Sequence, residues 1–316
     1  TRHPLYCGID YLCSRKRNSR VIISEMLRRV QKYIRDKELL KQGDKVLVCV
    51  SGGADSIALL DVLQRAGYDC VVAHCNFHLR GEESNRDEVF VKTLTEGTKV
   101  LVKHFDTAKY AKEQGLSIEM AARKLRYEWF AQIAKKEACQ AIAVAHHQND
   151  QAETILLNLK RGTGIRGLCG MRAKSPNPEG GDISVIRPLL CTTRDYIEHY
   201  LRDIRHLPWV EDSTNKDTTI TRNAIRNQLA TYSKAEIEHI ATTAEHMQGY
   251  VDWLEGNETT EAGRAKLHEK LRGYGFVEID KIYNALQRGI GGKTFRSATH
   301  LAVIKKGKLI IEPIQL

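Results

Sequence analysis

The segment VLVCVSGGADS, residues Val46–Ser56, predicts both the fold and the kind of ligand. Its five leading apolar residues, mostly β-branched, are typical of a strand that is buried on both faces of a sheet. A serine and two glycines then permit a tight turn, and Ala54–Leu63 has apolar residues at helical spacing. This arrangement directs backbone N–H groups and the positive end of a helix dipole at one point. We therefore expect an anion such as phosphate to bind at the turn.

The side chains of the turn indicate which anion this is. Ser51 and Ser56 add hydroxyl donors, whereas the Asp55 carboxylate would repel a bare phosphate. We therefore expect Mg²⁺ to lie between Asp55 and a bound nucleotide. The better-known phosphate loop has a lysine directly after its last glycine, and no lysine follows Gly53. An ordinary glycine turn between a strand and a helix is the alternative interpretation.

The order serine, glycine, glycine, any residue, aspartate, serine after a buried strand resembles the PP-loop of the N-type ATP pyrophosphatases. The resemblance implies an enzyme that cleaves ATP between its α and β phosphates, adenylates a substrate and releases pyrophosphate. By the same resemblance Asp55 is the expected magnesium ligand, and the expected nucleotide contacts are Ser51, Gly52, Gly53, Ala54, Asp55 and Ser56.

The composition of the chain indicates which kinds of partner and metal site it supports. The chain has 316 residues, enough for two domains, and a formal net charge of +10, which favours a polyanion such as RNA. Its eight cysteines include no C-x-x-C pair, so zinc and iron–sulfur sites of the usual spacing are not supported. No apolar run approaches the length of a membrane span. We expect reduced thiols and a cytoplasmic location.

Strand and helix patterns alternate along most of the chain. Further β-type runs occur at Cys70–His74, Lys99–His104 and Gln140–Ala145, and Ser84 and Ser117 are predicted to cap two of the helices between them. Repeated βα units predict an α/β fold, with a parallel sheet and helices on both of its faces.

Ligands bind such sheets beyond the carboxyl ends of the strands, so the turns after Val50, His74 and Ala145 should lie close together. His74 is therefore a further candidate nucleotide contact.

The pattern changes beyond about residue 228, where the strands stop and helical periodicity takes over. Leu301–Glu312 then reads as two strands around a turn at Lys305–Gly307. We predict a flexible or processed extension over 1–20, a catalytic domain over 21–228, and a smaller, mainly helical domain over 229–316 that ends in a β-hairpin.

Two carboxylates follow the fourth predicted strand, in the segment HHQNDQAET. Asp150 and Glu153 are three residues apart at the start of a helix and should share one face, where they could bind a cation or an ammonium group. An acidic first turn that complements the helix dipole is the simpler interpretation.

Three arginines are also candidates for binding a substrate anion. Arg123 follows Glu119 by four residues, so it either forms a surface ion pair or faces a substrate anion. Arg222 and Arg226 are also four apart, and because like charges repel, an anion is expected between them.

Six motifs in this order resemble the tRNA(Ile)-lysidine synthases, a family of PP-loop ligases. They are SGGADS, LRGEES at Leu79–Ser84, EMAARKLRY at Glu119–Tyr127, HHQNDQAET at His146–Thr154, the loop RGTGIRGLCGM at Arg161–Met171, and EDSTN followed by RNAIR.

The resemblance implies that ATP and Mg²⁺ activate C2 of the wobble cytidine in a CAU-anticodon tRNA(Ile), and that free L-lysine then attacks it to form lysidine. It places Asp150 and Glu153 around the lysine, with Arg123 and His146 nearby. Arg222 and Arg226 would reach the active site or the anticodon, and the second domain would hold tRNA. Family analogy also makes a homodimer plausible.

Two alternatives remain at this point. A PP-loop tRNA cytidine 2-thiolase normally supplies a C-x-x-C pair, which this chain lacks. A non-catalytic protein on the same sheet would bind nucleotide or RNA without releasing pyrophosphate. The chain also departs from the family pattern, because Phe77 stands where many relatives have a histidine. Longer relatives have a third domain, so we expect either a two-domain form or a truncated one.

Overall fold

The computed structural model describes residues 25–211, 221–254, 260–287, 292–305 and 308–314. The predicted extension over 1–20 lies outside the described residues, as does the EDSTN segment after Glu211. No helix within these ranges is long and apolar enough to cross a membrane.

A six-stranded sheet forms the centre of the first part of the chain. Its strand order is β3-β2-β1-β4-β6-β5, and all neighbouring pairs are parallel except β5 with β6. The four predicted strands are confirmed as β1 to β4, whereas β5 and β6 were not predicted because runs of two and three residues give too little pattern. The strands are β1 Lys45–Cys49, β2 Asp69–Asn76, β3 Val100–His104, β4 Ala141–Ala143, β5 Lys174–Ser175 and β6 Ser184–Ile186.

Helices cover both faces of this sheet, as predicted. Alternate residues of β1 belong to different cores, since Val46 and Val48 pack with the helices on one face and Leu47 packs with those on the other. The first face is covered by α1, α2 and α8, and the second mainly by α5. The helices up to this point are α1 over residues 25–36, α2 Ala54–Arg65, α3 Glu82–Leu94, α4 Thr107–Gln114, α5 Ile118–Lys136, α6 Gln148–Arg161, α7 Ile165–Leu168 and α8 Arg194–His199.

One predicted helix start is confirmed and one is wrong. Ser117 caps α5, because its hydroxyl accepts a hydrogen bond from the Met120 N–H at 3.2 Å. Helix α3, in contrast, begins at Glu82, after Gly81 in the left-handed region at φ 52°. Ser84 therefore lies inside the first turn of α3, where its hydroxyl accepts from the Arg80 N–H at 3.2 Å. A glycine that turns the chain three residues earlier overrides the serine signal.

The chain divides into two compact units. One comprises the chain up to Leu157 together with Met171–Ala241, and the other comprises Asn158–Gly170 and the chain from Thr242 onward. The later elements are α9 Thr221–Leu229, α10 Lys234–Leu254, α11 Thr260–Gly273, α12 Ile279–Gln287, β7 Thr294–Arg296, β8 His300–Lys305 and β9 Lys308–Pro313. A functional boundary near residue 228 stays a prediction.

The second unit has its own core, formed by Leu271, Phe276, Ile279, Ile282 and Ala302. The predicted hairpin is confirmed as β8 and β9, and the structure adds β7 as a third antiparallel strand. The three residues of β7 are too few for the alternation that reveals a strand.

Candidate active site

The topology of the sheet marks one point on its edge. Strand β1 pairs with β2 on one side and with β4 on the other, so the strand order reverses between β1 and β4. Ligands in open parallel sheets bind at such a reversal, beyond the carboxyl ends of the strands. The segments that leave β1 and β4 there are the SGGADS turn and the HHQND segment.

The SGGADS turn is organised by its own residues. The backbone N–H groups of Ser51 and Gly52 both donate to the Ser56 hydroxyl oxygen, at 3.2 and 3.3 Å. The Ser56 hydroxyl in turn donates to the Gly53 carbonyl at 2.8 Å. The Gly52 carbonyl accepts from the Val210 N–H at 2.9 Å, which holds the turn from outside. Ser56 is thus an internal brace of the turn, and its hydroxyl is buried.

Gly52 is required by its backbone conformation. Its φ of +99° is rarely adopted by residues with a side chain, and an added Cβ would lie 3.4 Å from Val91 Cγ2 on α3. A larger residue here would displace the backbone N–H groups of the turn.

Asp55 lies in the first turn of α2 and contacts two cationic side chains. Arg194 Nη1 donates to Asp55 Oδ2, and His147 Nε2 lies 3.5 Å from Asp55 Oδ1. Burial acts to raise the pKa of Asp55, but His147 and Arg194 outweigh it and hold that pKa below its ordinary value. The carboxylate is therefore ionised at neutral pH.

Asp55 Oδ1 also offers a position for a hard cation. It is buried and makes no hydrogen bond of ordinary length, because His147 Nε2 lies 3.5 Å away. Magnesium is usually held by one or two carboxylates together with phosphate oxygens and water, and Asp55 fits that requirement. In the part of the chain that the structure describes, no group of three or more His, Cys, Asp or Glu side chains is arranged to hold a metal by itself.

His147 joins Asp55 to Asp150. The Asp150 Oδ2 atom accepts from the His147 backbone N–H at 3.0 Å and lies 3.4 Å from His147 Nε2. Burial acts to lower the pKa of His147, but Asp150 and Asp55 outweigh it and raise that pKa above its ordinary value. The two carboxylates therefore favour the protonated form of the buried His147 ring.

Glu153 is buried and paired. Arg226 Nε donates to Glu153 Oε2 at 2.8 Å, and the Arg226 side chain is about half exposed. We predicted an anion beside Arg222 and Arg226. For Arg226 this anion is the Glu153 carboxylate. Arg222 lies in α9, and its side chain is outside the described part of the structure.

Three further residues were predicted to belong to the site, namely His74, His146 and Arg123. His74 is buried, and its Nδ1 lies 2.8 Å from the Val50 carbonyl, where it supports the end of β1. Burial above all lowers the pKa of His74, so the ring is neutral. His146 is half-buried and directly precedes His147. Arg123 is exposed on α5, with its guanidinium carbon 5.0 Å from the centre of the Tyr127 ring.

Two residues that contact Asp55, namely His147 and Arg194, were not predicted to belong to the site. We predicted His146 rather than His147, because the two adjacent histidines differ only in burial, which the sequence does not show. Arg194 is 139 residues from Asp55 along the chain, and no local pattern relates the two. We call Asp55, His147, Asp150 and Arg194 the cradle cluster.

The turn after β2 was predicted to lie beside the nucleotide, and its polar side chains bind one another. Asn76 Nδ2 donates to Glu88 Oε2 at 3.0 Å, and Arg80 Nη2 donates to Asp87 Oδ2 at 2.7 Å. Burial acts to raise the pKa of Glu88, but Asn76, Lys92 and His104 outweigh it and lower that pKa to about 2. We call Asn76, Arg80, Ser84, Asp87 and Glu88 the loop network.

Known proteins resemble the chain along its whole described length. Residues 23–248 match the PP-loop domain family, and residues 254–314 match the TilS substrate binding domain family. A U34-tRNA thiolase from Methanococcus maripaludis has a similar fold, with a TM-score of 0.58, 18% identity and coverage of 72% of this chain and 80% of the thiolase. At that identity the likeness concerns the fold alone and does not favour the thiolase alternative.

Sequence relatives are much more similar. The tRNA(Ile)-lysidine synthase of Porphyromonas gingivalis is 40% identical, over 90% of this chain and 67% of the relative. The synthase of Bacteroides thetaiotaomicron is 42% identical, over 91% of this chain and 72% of the relative. With an identity this high over most of both sequences, and with both domain families matched in order, the chain belongs to the tRNA(Ile)-lysidine synthase family.

Proposed function

We propose that the chain ligates free L-lysine to C2 of the wobble cytidine in a tRNA(Ile) with a CAU anticodon. In this reaction the cytidine O2 attacks the α-phosphate of ATP and pyrophosphate leaves. The ε-amine of lysine then attacks C2, loses a proton and expels AMP. The product, lysidine, changes the codon read from AUG to AUA. Membership of the family and the match to its substrate binding domain support this proposal.

The proposal rests on one juxtaposition. The residue assigned to the nucleotide, Asp55, and a residue assigned to lysine, Asp150, both lie within 3.5 Å of the same His147 Nε2 atom. Adenylation and attack by the amine take place at neighbouring atoms of one base, so a ligase needs these two sites side by side.

The SGGADS turn would orient the phosphates of ATP. Ser51, Gly52, Gly53, Ala54, Asp55 and Ser56 form the turn and the start of α2, whose positive dipole end favours an anion. Magnesium, when bound at Asp55, would neutralise negative charge on the leaving pyrophosphate. His74 would contribute indirectly, because its ring holds the end of β1 through the Val50 carbonyl.

Lysine would bind at the start of α6. Asp150 and Glu153 supply negative charge for its ammonium group, and either Asp150 or His146 would accept the proton of the attacking amine. Since Glu153 already pairs with Arg226, an ammonium group at Glu153 would share or displace that arginine. We assign Arg123 to the same site, and Arg222 and Arg226 to the active site or the anticodon.

The tRNA would bind through charge and through the second domain. The net charge of +10 favours a nucleic acid, and residues 254–314 match a substrate binding domain. We further propose a cytoplasmic enzyme that acts as a homodimer.

Mass spectrometry of nucleosides tests the proposal. An unmodified CAU-anticodon tRNA(Ile) is incubated with the protein, Mg²⁺, ATP and lysine, and we expect a lysine-dependent mass gain on one cytidine. A tRNA with an unrelated anticodon is the control. If no gain occurs while tRNA-dependent ATP–pyrophosphate exchange persists, adenylation stands and the amine donor is wrong. If neither signal is found, a non-catalytic protein is the better account.

A further inference from the structure

Arg194 is positioned by three contacts on α8 and its surroundings. Its backbone N–H donates to Asn149 Oδ1 at 2.9 Å, and its Nε donates to Glu198 Oε1 at 2.7 Å. Only the end of the side chain reaches the SGGADS turn, where Nη1 donates to Asp55 Oδ2. The side chain is 35% exposed, so the guanidinium group can be reached by a ligand at that turn.

The charge balance at Asp55 changes when a nucleotide binds. Here the carboxylate is compensated by Arg194 and, at longer range, by His147. A divalent cation on Asp55 Oδ1 would lie next to Arg194 on Oδ2 and would weaken that ion pair by repulsion between like charges. The guanidinium group would then lose this partner while lying next to the phosphates of ATP.

Arginine suits a transfer of this kind. Its planar group donates two parallel hydrogen bonds to a carboxylate or to a phosphate, so one side chain can serve both partners. Because Asn149 holds the backbone of Arg194, the planar guanidinium group can turn as a unit without a movement of α8.

We infer that Arg194 is an additional phosphate-binding residue of the nucleotide site, held on Asp55 in this structure and transferred to the phosphates of ATP when Asp55 binds magnesium. This inference rests on the nucleotide part of the proposed function. The competing explanation is that Arg194 only fastens α8 to α2.

Direct binding measurements distinguish the two. Dissociation constants of magnesium ATP, magnesium pyrophosphate and adenosine are measured by calorimetry, without tRNA or lysine, for the parent, Arg194→Gln, Arg194→Lys and Arg202→Gln. Arg202 is the matched control, because it is an exposed arginine that also pairs with Glu198, at 3.2 Å. Thermal unfolding of each variant shows whether it is folded.

We expect Arg194→Gln to weaken ATP and pyrophosphate by about tenfold or more and to leave adenosine unchanged. Arg194→Lys should restore part of the loss, and Arg202→Gln should bind all three ligands as the parent does. Equal weakening of adenosine, or less than a twofold change for pyrophosphate in the folded variant, would overturn the inference.

The assay also separates this inference from the proposed reaction. If lysidine does not form but Arg194→Gln still weakens ATP and pyrophosphate selectively, the inference stands and the proposed reaction fails. If the parent binds neither ATP nor pyrophosphate, both fail.

Discussion

The cradle cluster and the loop network lie at the same edge of the sheet and differ in how completely their polar atoms are satisfied. Among the described residues, Asp55 Oδ1, His147 Nδ1 and Gln148 Oε1 are buried side-chain atoms without an ordinary hydrogen bond, and all three lie in or beside the cradle cluster; further such atoms lie at Arg187, Thr192 and Thr193, and none lies in the loop network. Buried polar atoms are normally paired, and at the cradle cluster, beyond the carboxyl ends of β1 and β4, a bound ligand would supply the missing partners. Both regions contain motif residues, and in the loop network these residues hydrogen-bond to one another.

Two buried aspartates provide the strongest test of this difference. We expect Asp55→Asn to lower lysidine formation about 100-fold or more in the folded protein, because the leaving pyrophosphate loses its compensating cation. Asp87→Asn removes the charge that faces Arg80 and Arg86, and we expect it to cost about 1–3 kcal/mol of unfolding free energy while activity persists.

The two measurements are single-turnover lysidine formation and urea unfolding at pH 7. If Asp55→Asn retained activity, or if Asp87→Asn abolished it in a folded protein, the division between the cradle cluster and the loop network would be wrong.

Features formed by neighbouring residues could be predicted from the sequence, whereas contacts between distant residues could not. The SGGADS turn and the buried strand before it are contiguous, so their structure follows from neighbouring residues. The contact of Arg194 with Asp55 spans 139 residues and depends on how the sheet places α8 against α2, which no local pattern encodes. The start of α3 was misplaced for a different reason, because Gly81 at φ 52° acts before the Ser84 signal.

Two glutamates test the amine side of the site. We expect Glu153→Gln to raise the KM for lysine about tenfold and to leave tRNA-dependent ATP–pyrophosphate exchange unchanged, because only the amine step uses that charge. Glu88→Gln should leave the KM for lysine unchanged. Steady-state kinetics with varied lysine provide the measurement.

The variant Arg226→Gln shows whether Glu153 binds lysine or only forms the ion pair with Arg226. If Glu153 only anchors α9 through Arg226, both variants should lose stability and neither should change the KM for lysine. Arg226→Gln should then lose more, because the Glu153 carboxylate is buried and Arg226 is half exposed.

Two serines give a smaller and more specific effect. Ser56→Ala removes the oxygen on which the Ser51 and Gly52 N–H groups converge, and we expect the Kd for magnesium ATP to rise about 2- to 10-fold. Ser84→Ala removes the acceptor of the Arg80 N–H and should cost about 1 kcal/mol of unfolding free energy without changing the Kd. An unchanged Kd in Ser56→Ala would show that the turn keeps its shape without this brace.

The smallest effect concerns the pH dependence of the loop network. Because the pKa of Glu88 is lowered to about 2 by Asn76, Lys92 and His104 against the cost of burial, its ionised form stabilises the fold. A lowered pKa gives stability that is fully present above the ordinary glutamate pKa and is lost as the pH falls toward 2. The difference in unfolding free energy between the parent and Glu88→Gln should therefore be nearly complete at pH 5 and roughly halved at pH 3. Urea unfolding of both proteins at pH 5 and 3 measures this change. A difference that stayed constant down to pH 3 would mean that Glu88 does not stabilise the loop network through its charge.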